Sequence, residues 1–404
     1  MKKKTILAYS GGLDTSVILK WLIDKGYEVV CFIADVGQKE DFEAAEKKAL
    51  AIGASQVVIA NVQKEFVEDY IFPSIKAHAV YEGKYLLGTS LARPLIAKKL
   101  VELGQKENIT SFAHGATGKG NDQVRFELTI LKHIPHAEII SPWKDPEFLA
   151  QFSGRPDLLK YAAKHQIPVT STLEKPYSID ENLMHTSFEG GKLENPNSSA
   201  SEEMFIKTVS PQNAPDQEMK ITIEFQAGNP ILVEDMETGE KTTGSLEIFK
   251  YLNEIGGKNG IGRIDLVESR FVGMKSRGVY ETPAGTILLK AHLDLEGITM
   301  DREVMLLKES MAPKIAQIIY NGFWFSPEMD FLMASVLQSQ KNVTGKVFLT
   351  LYKGNAIVTG RSSPYSLYQS QIASMDIIGG YDQTDAKGFI KLNALRLMGA
   401  PAHG

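Results

Sequence analysis

The apolar run Thr5-Ile6-Leu7-Ala8-Tyr9 stops at Ser10-Gly11-Gly12-Leu13-Asp14-Thr15-Ser16, after which Val17, Ile18, Trp21 and Leu22 fall on one helical face. A strand that passes through paired glycines into an amphipathic helix is the opening unit of a βαβ crossover. It leaves the unpaired N–H groups of the helix start at the carboxyl end of the strand, where an anion can be held. The rhythm then repeats. Gly26 closes the helix, Tyr27 to Val36 reads as a second buried strand, Phe42 to Ile52 as a helix stopped by Gly53, and Gln56 to Ala60 as a third strand. A helix from about Leu91 to Leu103 ending at Gly104, a strand Thr110 to Ala113, a helix Asp122 to Lys132 and a strand Glu138 to Ile140 continue it. The pattern predicts an α/β fold built on a doubly wound parallel sheet.

A chain of 404 residues exceeds one comfortable core, so two domains are expected. The texture changes near residue 170. Beyond it come the alternation Lys220-Ile221-Thr222-Ile223-Glu224-Phe225, the turn-like Ala227-Gly228-Asn229-Pro230, and a hairpin signal at Lys353-Gly354-Asn355-Ala356. Residues 1–170 therefore read as the doubly wound α/β domain and 171–365 as an α+β domain. Within the remaining segment, 366–404, Ala386 to Met398 is helix-like. Its apolar Phe389, Ile390, Leu392, Leu395 and Leu397 need a partner, either their own domain or another subunit.

Several function classes are excluded. The longest apolar runs are strand-sized, far short of the roughly 20 residues of a membrane span. Lys2, Lys3 and Lys4 are followed by no cleavage signal, so a soluble, cytoplasmic protein is expected. Cys31 is the single cysteine, which rules out an intrachain disulfide, a CxxC redox pair and a cysteine zinc site. A net charge of −5 argues against non-specific nucleic-acid binding, and the histidines lack the spacing of a protein-held zinc. A small-molecule substrate is favoured.

Taken alone, the Gly11-Gly12 pair could be a tight turn with Asp14 as a helix cap. The loop is neither a Walker loop nor a dinucleotide fingerprint. Ser10, Thr15 and Ser16 offer hydroxyl donors, and Asp14 could also orient a metal bound to phosphate. As a whole the heptad resembles the Ser-Gly-Gly-x-Asp-Ser/Thr-Ser loop of the N-type ATP pyrophosphatases, of adenine nucleotide alpha hydrolase-like fold. The resemblance implies cleavage of ATP to AMP and pyrophosphate with Mg²⁺, and ATP contacts from Ala8, Tyr9, Ser10, Gly11, Gly12, Leu13, Asp14, Thr15 and Ser16. Ala34, at the end of the second strand, looks like a further nucleotide contact.

Within that group the attacking nitrogen separates the members. Lys2 stands where a fused glutamine-hydrolysing domain would carry its cysteine, and sulfur transfer would ordinarily use a cysteine pair. An amine-bearing small molecule is left as the nucleophile. The stretches Tyr85 to Pro94, Ala113 to Glu127, Glu174 to Asp180, His185-Thr186-Ser187 and Val267 to Glu281 resemble signatures of the argininosuccinate synthase family, and the likeness runs from about Lys4 to Leu397. It implies an ATP contact at Gly115, an aspartate site at Thr117, Asn121 and Asp122, and a citrulline site at Tyr85, Ser90, Asn121, Arg125, Ser178, Ser187, Glu268 and Tyr280. Arg125 could grip the citrulline carboxylate with two N–H groups, and Asp122 could receive the aspartate ammonium. The same resemblance implies a two-step ligation through citrullyl-AMP, no covalent nucleophile on the protein, and a homotetramer joined through the last helix. His114 and His185 are not assigned as catalytic.

Overall fold

A computed structural model describes residues 3–168, 177–376 and 379–398. The expected boundary near residue 170, and Glu174, Lys175 and Pro176 of one signature stretch, lie outside them.

Strands β1 (Lys4–Ala8), β2 (Glu28–Asp35), β3 (Gln56–Asn61), β4 (Ser111–Ala113) and β5 (Glu138–Ile140) form a sheet in the order β3-β2-β1-β4-β5, every pair parallel. Successive residues of these strands feed opposite cores. Ile6, Val30 and Phe32 enter one apolar cluster, while Leu7, Cys31 and Ile33 enter the other. That is why the strands read as continuous apolar runs: both faces are covered by helices. Cys31 has no exposed surface, and burial pushes its thiol up to about 12.

The helix expected to stop at Gly104 runs instead from Gly88 to Glu107. A side chain at 104 would sit 2.5 Å from the Phe112 ring, so this glycine serves the approach of helix to sheet. Asn108, left-handed at φ 55°, ends the helix.

Past residue 176 come β6 (Ser178–Glu181), β7 (Thr186–Glu189), β8 (Met219–Gln226), β9 (Asn229–Asp235), β10 (Lys241–Thr243), β11 (Arg263–Ser269), β12 (Lys275–Glu281), β13 (Gly345–Tyr352) and β14 (Asn355–Ser362). They make two antiparallel sheets, β11-β12-β7-β6 and β10-β9-β8-β13-β14. The hairpin read at Lys353–Ala356 is present, and the turn-like Ala227–Pro230 is a second one. Ala227 and Gly228, and Lys353 and Gly354, are the paired left-handed residues of a two-residue turn. One apolar cluster runs from Ile6 and Phe32 through Leu91 and Leu95 to Phe225, Leu288 and Ile315, so the two halves share a core.

Between them lies a closed and largely buried polar ring. Lys308 Nζ donates to His78 Nδ1 (3.1 Å) and Glu296 Oε2 (2.9 Å). His78 Nε2 lies 3.0 Å from His292 Nδ1, His292 Nε2 lies 2.8 Å from Gln340 Oε1, and Gln340 Nε2 donates to Glu296 Oε1 at 2.7 Å. Because an ammonium cannot accept, His78 carries its proton on Nε2. His292 must then accept at Nδ1 and donate from Nε2, so donation runs from Lys308 through both histidines and Gln340 to Glu296, which also accepts from Lys308 directly. Among the described residues, His78, His292 and Glu296 are the one His/carboxylate group tight enough for a metal, but Lys308 already places a cation there.

The final helix, Asp385–Met398, buries none of its residues. Phe389, Leu392 and Leu395 are 69%, 71% and 64% exposed, which removes the reading that it packs on its own domain. No described helix is long and apolar enough to cross a membrane.

Candidate active site

The order of the first sheet reverses between β1 and β4, and open sheets bind ligands outside the carboxyl ends of strands at such a point. A cavity of about 910 Å³ opens there, walled on one side by the ends of β1 and β2 and on the other by β6, β7, β11 and β12.

After Ala8 the chain turns through Gly11 at φ 73°, where a Cβ would press within 3.1 Å of the Ala45 Cβ, and Lys48 Nζ donates to its carbonyl at 2.7 Å. The helix cap is Gly12, not Asp14. Asp14 lies in the first turn and lines the cavity, with its carboxyl raised by burial. Ser10 Oγ and Thr15 Oγ1 line it too, 3.0 Å apart. Ser16 does not. Its hydroxyl is fully buried 3.0 Å from the Tyr9 phenol, which burial pushes up to about 12, so Ser16 braces the loop from beneath. Gly11 and Leu13 are likewise off the wall, whereas Ala8, Tyr9, Gly12, Ala34 and Gly115 are on it.

Tyr85, Thr117, Asn121, Asp122, Arg125, Ser178, Ser187, Glu268 and Tyr280 line the rest of the same cavity, although they are spread over nearly 200 residues of sequence. Ser90 stands apart: it is buried beside Tyr85, behind the wall. The Tyr85 and Tyr280 rings stack at 4.5 Å.

Arg125 is already engaged. Its Nε and Nη2 both donate to the Tyr320 carbonyl (3.1 and 2.9 Å), and Nη1 donates to Asp122 Oδ1 (2.8 Å). Of its five N–H groups, one remains on each terminal nitrogen. A two-point grip on a carboxylate must use that pair, not the Nε side. Asp122 also receives Arg93 Nε at 2.8 Å. Burial opposes its ionisation, but the charges of Arg93 and Arg125 win and hold its carboxyl below the ordinary range. Asn121 Oδ1 accepts from the Phe271 N–H (3.1 Å), and Arg270 donates to Glu189 (2.5 Å), which tie the β11–β12 turn to this region.

Glu268 accepts from the Tyr280 hydroxyl at 3.2 Å. Burial, then the nearby charge of Glu189, push its carboxyl up to about 7. His114 lines the cavity and is buried, taking the Ala116 N–H at Nδ1 (3.3 Å) and facing Glu127 from Nε2 (3.1 Å).

Sequence reasoning missed Arg93, Asp180, Glu189, Arg270 and Tyr320, all on the cavity wall. Arg93 and Asp180 stood inside quoted stretches without a role. Their pairing spans 87 residues and leaves no periodic trace.

Comparison with known proteins adds an independent line. The family profile "Arginosuccinate synthase N-terminal HUP domain" matches residues 4–168, and "Arginosuccinate synthase C-terminal domain" matches residues 177–400. The argininosuccinate synthase of Thermotoga sp. (strain RQ2) is 58% identical over 397 residues, covering 98% of this chain and 97% of its own length. That of Danio rerio is 54% identical over 396 residues, covering 98% and 96%. That of Mus musculus is 53% identical with the same coverage.

Proposed function

The chain belongs to the argininosuccinate synthase family, ATP-dependent ligases that join L-citrulline to L-aspartate in arginine biosynthesis, and from that premise we propose how its cavity divides the reaction. Ser10 to Ser16 hold the β- and γ-phosphates that leave as pyrophosphate, with Ala8, Ala34 and Gly115 against the nucleotide. Tyr85, Ser90, Asn121, Arg125, Ser178, Ser187, Glu268 and Tyr280 serve citrulline, Ser90 acting through Tyr85. Thr117, Asn121 and Asp122 serve aspartate. The observation that carries this division is the convergence of these separated residues on one cavity, all but Gly11, Leu13, Ser16 and Ser90 lining it directly.

In the first step the ureido oxygen of citrulline bonds to the α-phosphorus as the bond to the bridging oxygen breaks, giving citrullyl-AMP and pyrophosphate. The aspartate amine then bonds to the ureido carbon, the C–O bond to AMP breaks, and the amine proton is lost. Backbone N–H groups and the Ser10 and Thr15 hydroxyls are already arranged for the charge on the leaving pyrophosphate, and alignment supplies the rest, so no covalent nucleophile is needed. Mg²⁺ would arrive with ATP and neutralise phosphate charge. Asp14 and Thr15 are the hard oxygen donors that suit it.

The test supplies ATP, Mg²⁺, aspartate and citrulline labelled with ¹⁸O in the ureido group. Label is expected in AMP, and ADP as product would refute the scheme. Asp14→Ala is expected to lower citrulline-dependent ATP–pyrophosphate exchange on the order of 100-fold, the size of losing one charge-stabilising group. Asp122→Ala, which also frees one Arg125 N–H group, should lower exchange far less than Asp14→Ala does while impairing ligation, and equal loss of exchange in both would refute the division.

Glu268 gives a pH signature. Protonated below about pH 7, its carboxyl cannot serve as a two-oxygen acceptor for substrate N–H groups, so the citrulline KM should rise as pH falls through 7. Glu268→Gln should have a raised KM without that limb, and an unchanged pH profile in the variant would remove Glu268 from this role.

The exposed apolar side chains of Asp385–Met398 support assembly through residues 366–404; our reading is a homotetramer of cytoplasmic subunits whose domains are 1–170 and 171–365.

A further inference from the structure

Every residue assigned above to aspartate, Thr117, Asn121 and Asp122, comes from the first half of the chain, yet Asp122 is fastened to the second. Arg93 lies between two carboxylates, giving Nε to Asp122 Oδ2 (2.8 Å) and Nη2 to Asp180 Oδ2 (2.6 Å). Asp180 stands on β6, whereas Arg93 and Asp122 stand on helices Gly88–Glu107 and Asp122–His133. The same Asp180 oxygen receives the Thr89 hydroxyl at 2.9 Å, and the Thr89 oxygen lies 2.8 Å from His185 Nε2.

This chain of bonds has only one consistent direction. The Thr89 proton is committed to a carboxylate, so Thr89 can only accept from His185, whose proton must be on Nε2. His185 Nδ1 is buried with no partner among the described residues, as an unprotonated acceptor can be at smaller cost than an orphaned N–H. Burial holds the ring neutral, well below its ordinary pKa, and it stacks on Tyr280 at 5.6 Å. Asp180 is thus aimed by an uncharged donor relay, and in turn holds a guanidinium that lines the cavity.

We propose that Asp180, held by Thr89 and His185, is a positioning residue for the amine step: it keeps Arg93 against Asp122, so that the aspartate half of the cavity is complete only when β6 of the second domain is docked on the first. The consequence is a division between half-reactions. Forming the adenylate draws on the phosphate loop and the citrulline residues, which do not touch Asp180 through its side chain. Orienting the incoming amine depends on Asp122, which does, through Arg93. The inference rests on the proposed assignment of Asp122 to aspartate.

Asp180→Asn keeps the shape and removes the charge. Loss of one charged hydrogen-bonding partner predicts a fall of about 30- to 100-fold in kcat/KM for aspartate, with citrulline-dependent ATP–pyrophosphate exchange reduced by less than about 5-fold. Thr89→Val should lower kcat/KM for aspartate about 10-fold, and Thr89→Ser, which restores the hydroxyl, should return it to near the wild-type value. A merely structural role would lower both half-reactions alike and shift the melting temperature in step with them. Equal losses in exchange and ligation, or Thr89→Ser as impaired as Thr89→Val, would overturn the proposal. If the wild-type protein forms no argininosuccinate, the assigned activity is at fault. If it does while Asp180→Asn leaves the aspartate KM and kcat unmoved, only the positioning role fails.

Discussion

Arg125→Lys is expected to lower kcat/KM for citrulline by roughly 100-fold and Arg125→Ala by on the order of 1,000-fold, in line with about 2–5 kcal/mol for removing a buried charged partner. The lysine variant is informative because it keeps the charge. Arg125 makes three bonds that a single ammonium cannot reproduce together: two to the Tyr320 carbonyl and one to Asp122, with its guanidinium 5.1 Å from the Tyr320 ring centre. Only after those are satisfied does it keep one N–H on each terminal nitrogen for a substrate carboxylate. Planar geometry is therefore required, and charge is secondary. Steady-state kinetics with citrulline varied at saturating ATP and aspartate measure the effect. A lysine variant within about 3-fold of wild type would show that the fork has no part in substrate binding.

The largest loss of stability is expected at the buried ring. Lys308→Met should destabilise the fold by about 3–5 kcal/mol, because Glu296 is left buried without its cation. Glu296→Gln should be comparably harmful, and the double variant Lys308→Met/Glu296→Gln should regain much of the loss, since no unpaired charge then remains. Denaturant unfolding of the four proteins measures the coupling. Additive losses would mean that the pair contributes nothing beyond its separate packing. The ring also fixes the acid response. His78 and His292 are pushed below their ordinary value of 6.5 by burial, His292 to about 3. Between those limits the unfolded chain binds protons that the folded one refuses. Stability is thus full above about pH 6.5 and falls as pH drops toward 3, at about 1.4 kcal/mol per pH unit for each histidine.

What could be read in the sequence follows physical range. The first sheet was legible because β1 and β2 are buried on both faces and carry unbroken apolar runs, and the turn at Ala227–Gly228 and the hairpin at Lys353–Gly354 were legible because two left-handed residues in a row demand a narrow set of side chains. The Ser10–Ser16 loop was legible as a loop but not atom by atom. Nothing in its spelling separates Thr15, which lines the cavity, from Ser16, which turns its hydroxyl under Tyr9. Gly104 misled because a glycine that ends a helix and one that lets a helix touch a ring are the same letter. The ring joining His78 to His292 across 214 residues, and the bond from Arg93 to Asp180, are products of tertiary docking and leave no local pattern. The last helix displayed its apolar stripe plainly, and only the coordinates removed its own domain as the partner.

Cys31 gives the protein a chemical clock. As the sole thiol, wholly buried on β2 of the first sheet and far from ionisation at neutral pH, it reacts with a thiol reagent only in molecules whose core has opened. Labelling in native buffer therefore counts openings of the nucleotide-binding half one molecule at a time, with no competing site to subtract. Ligands that bridge both walls of the cavity should slow that count in proportion to how tightly they are held.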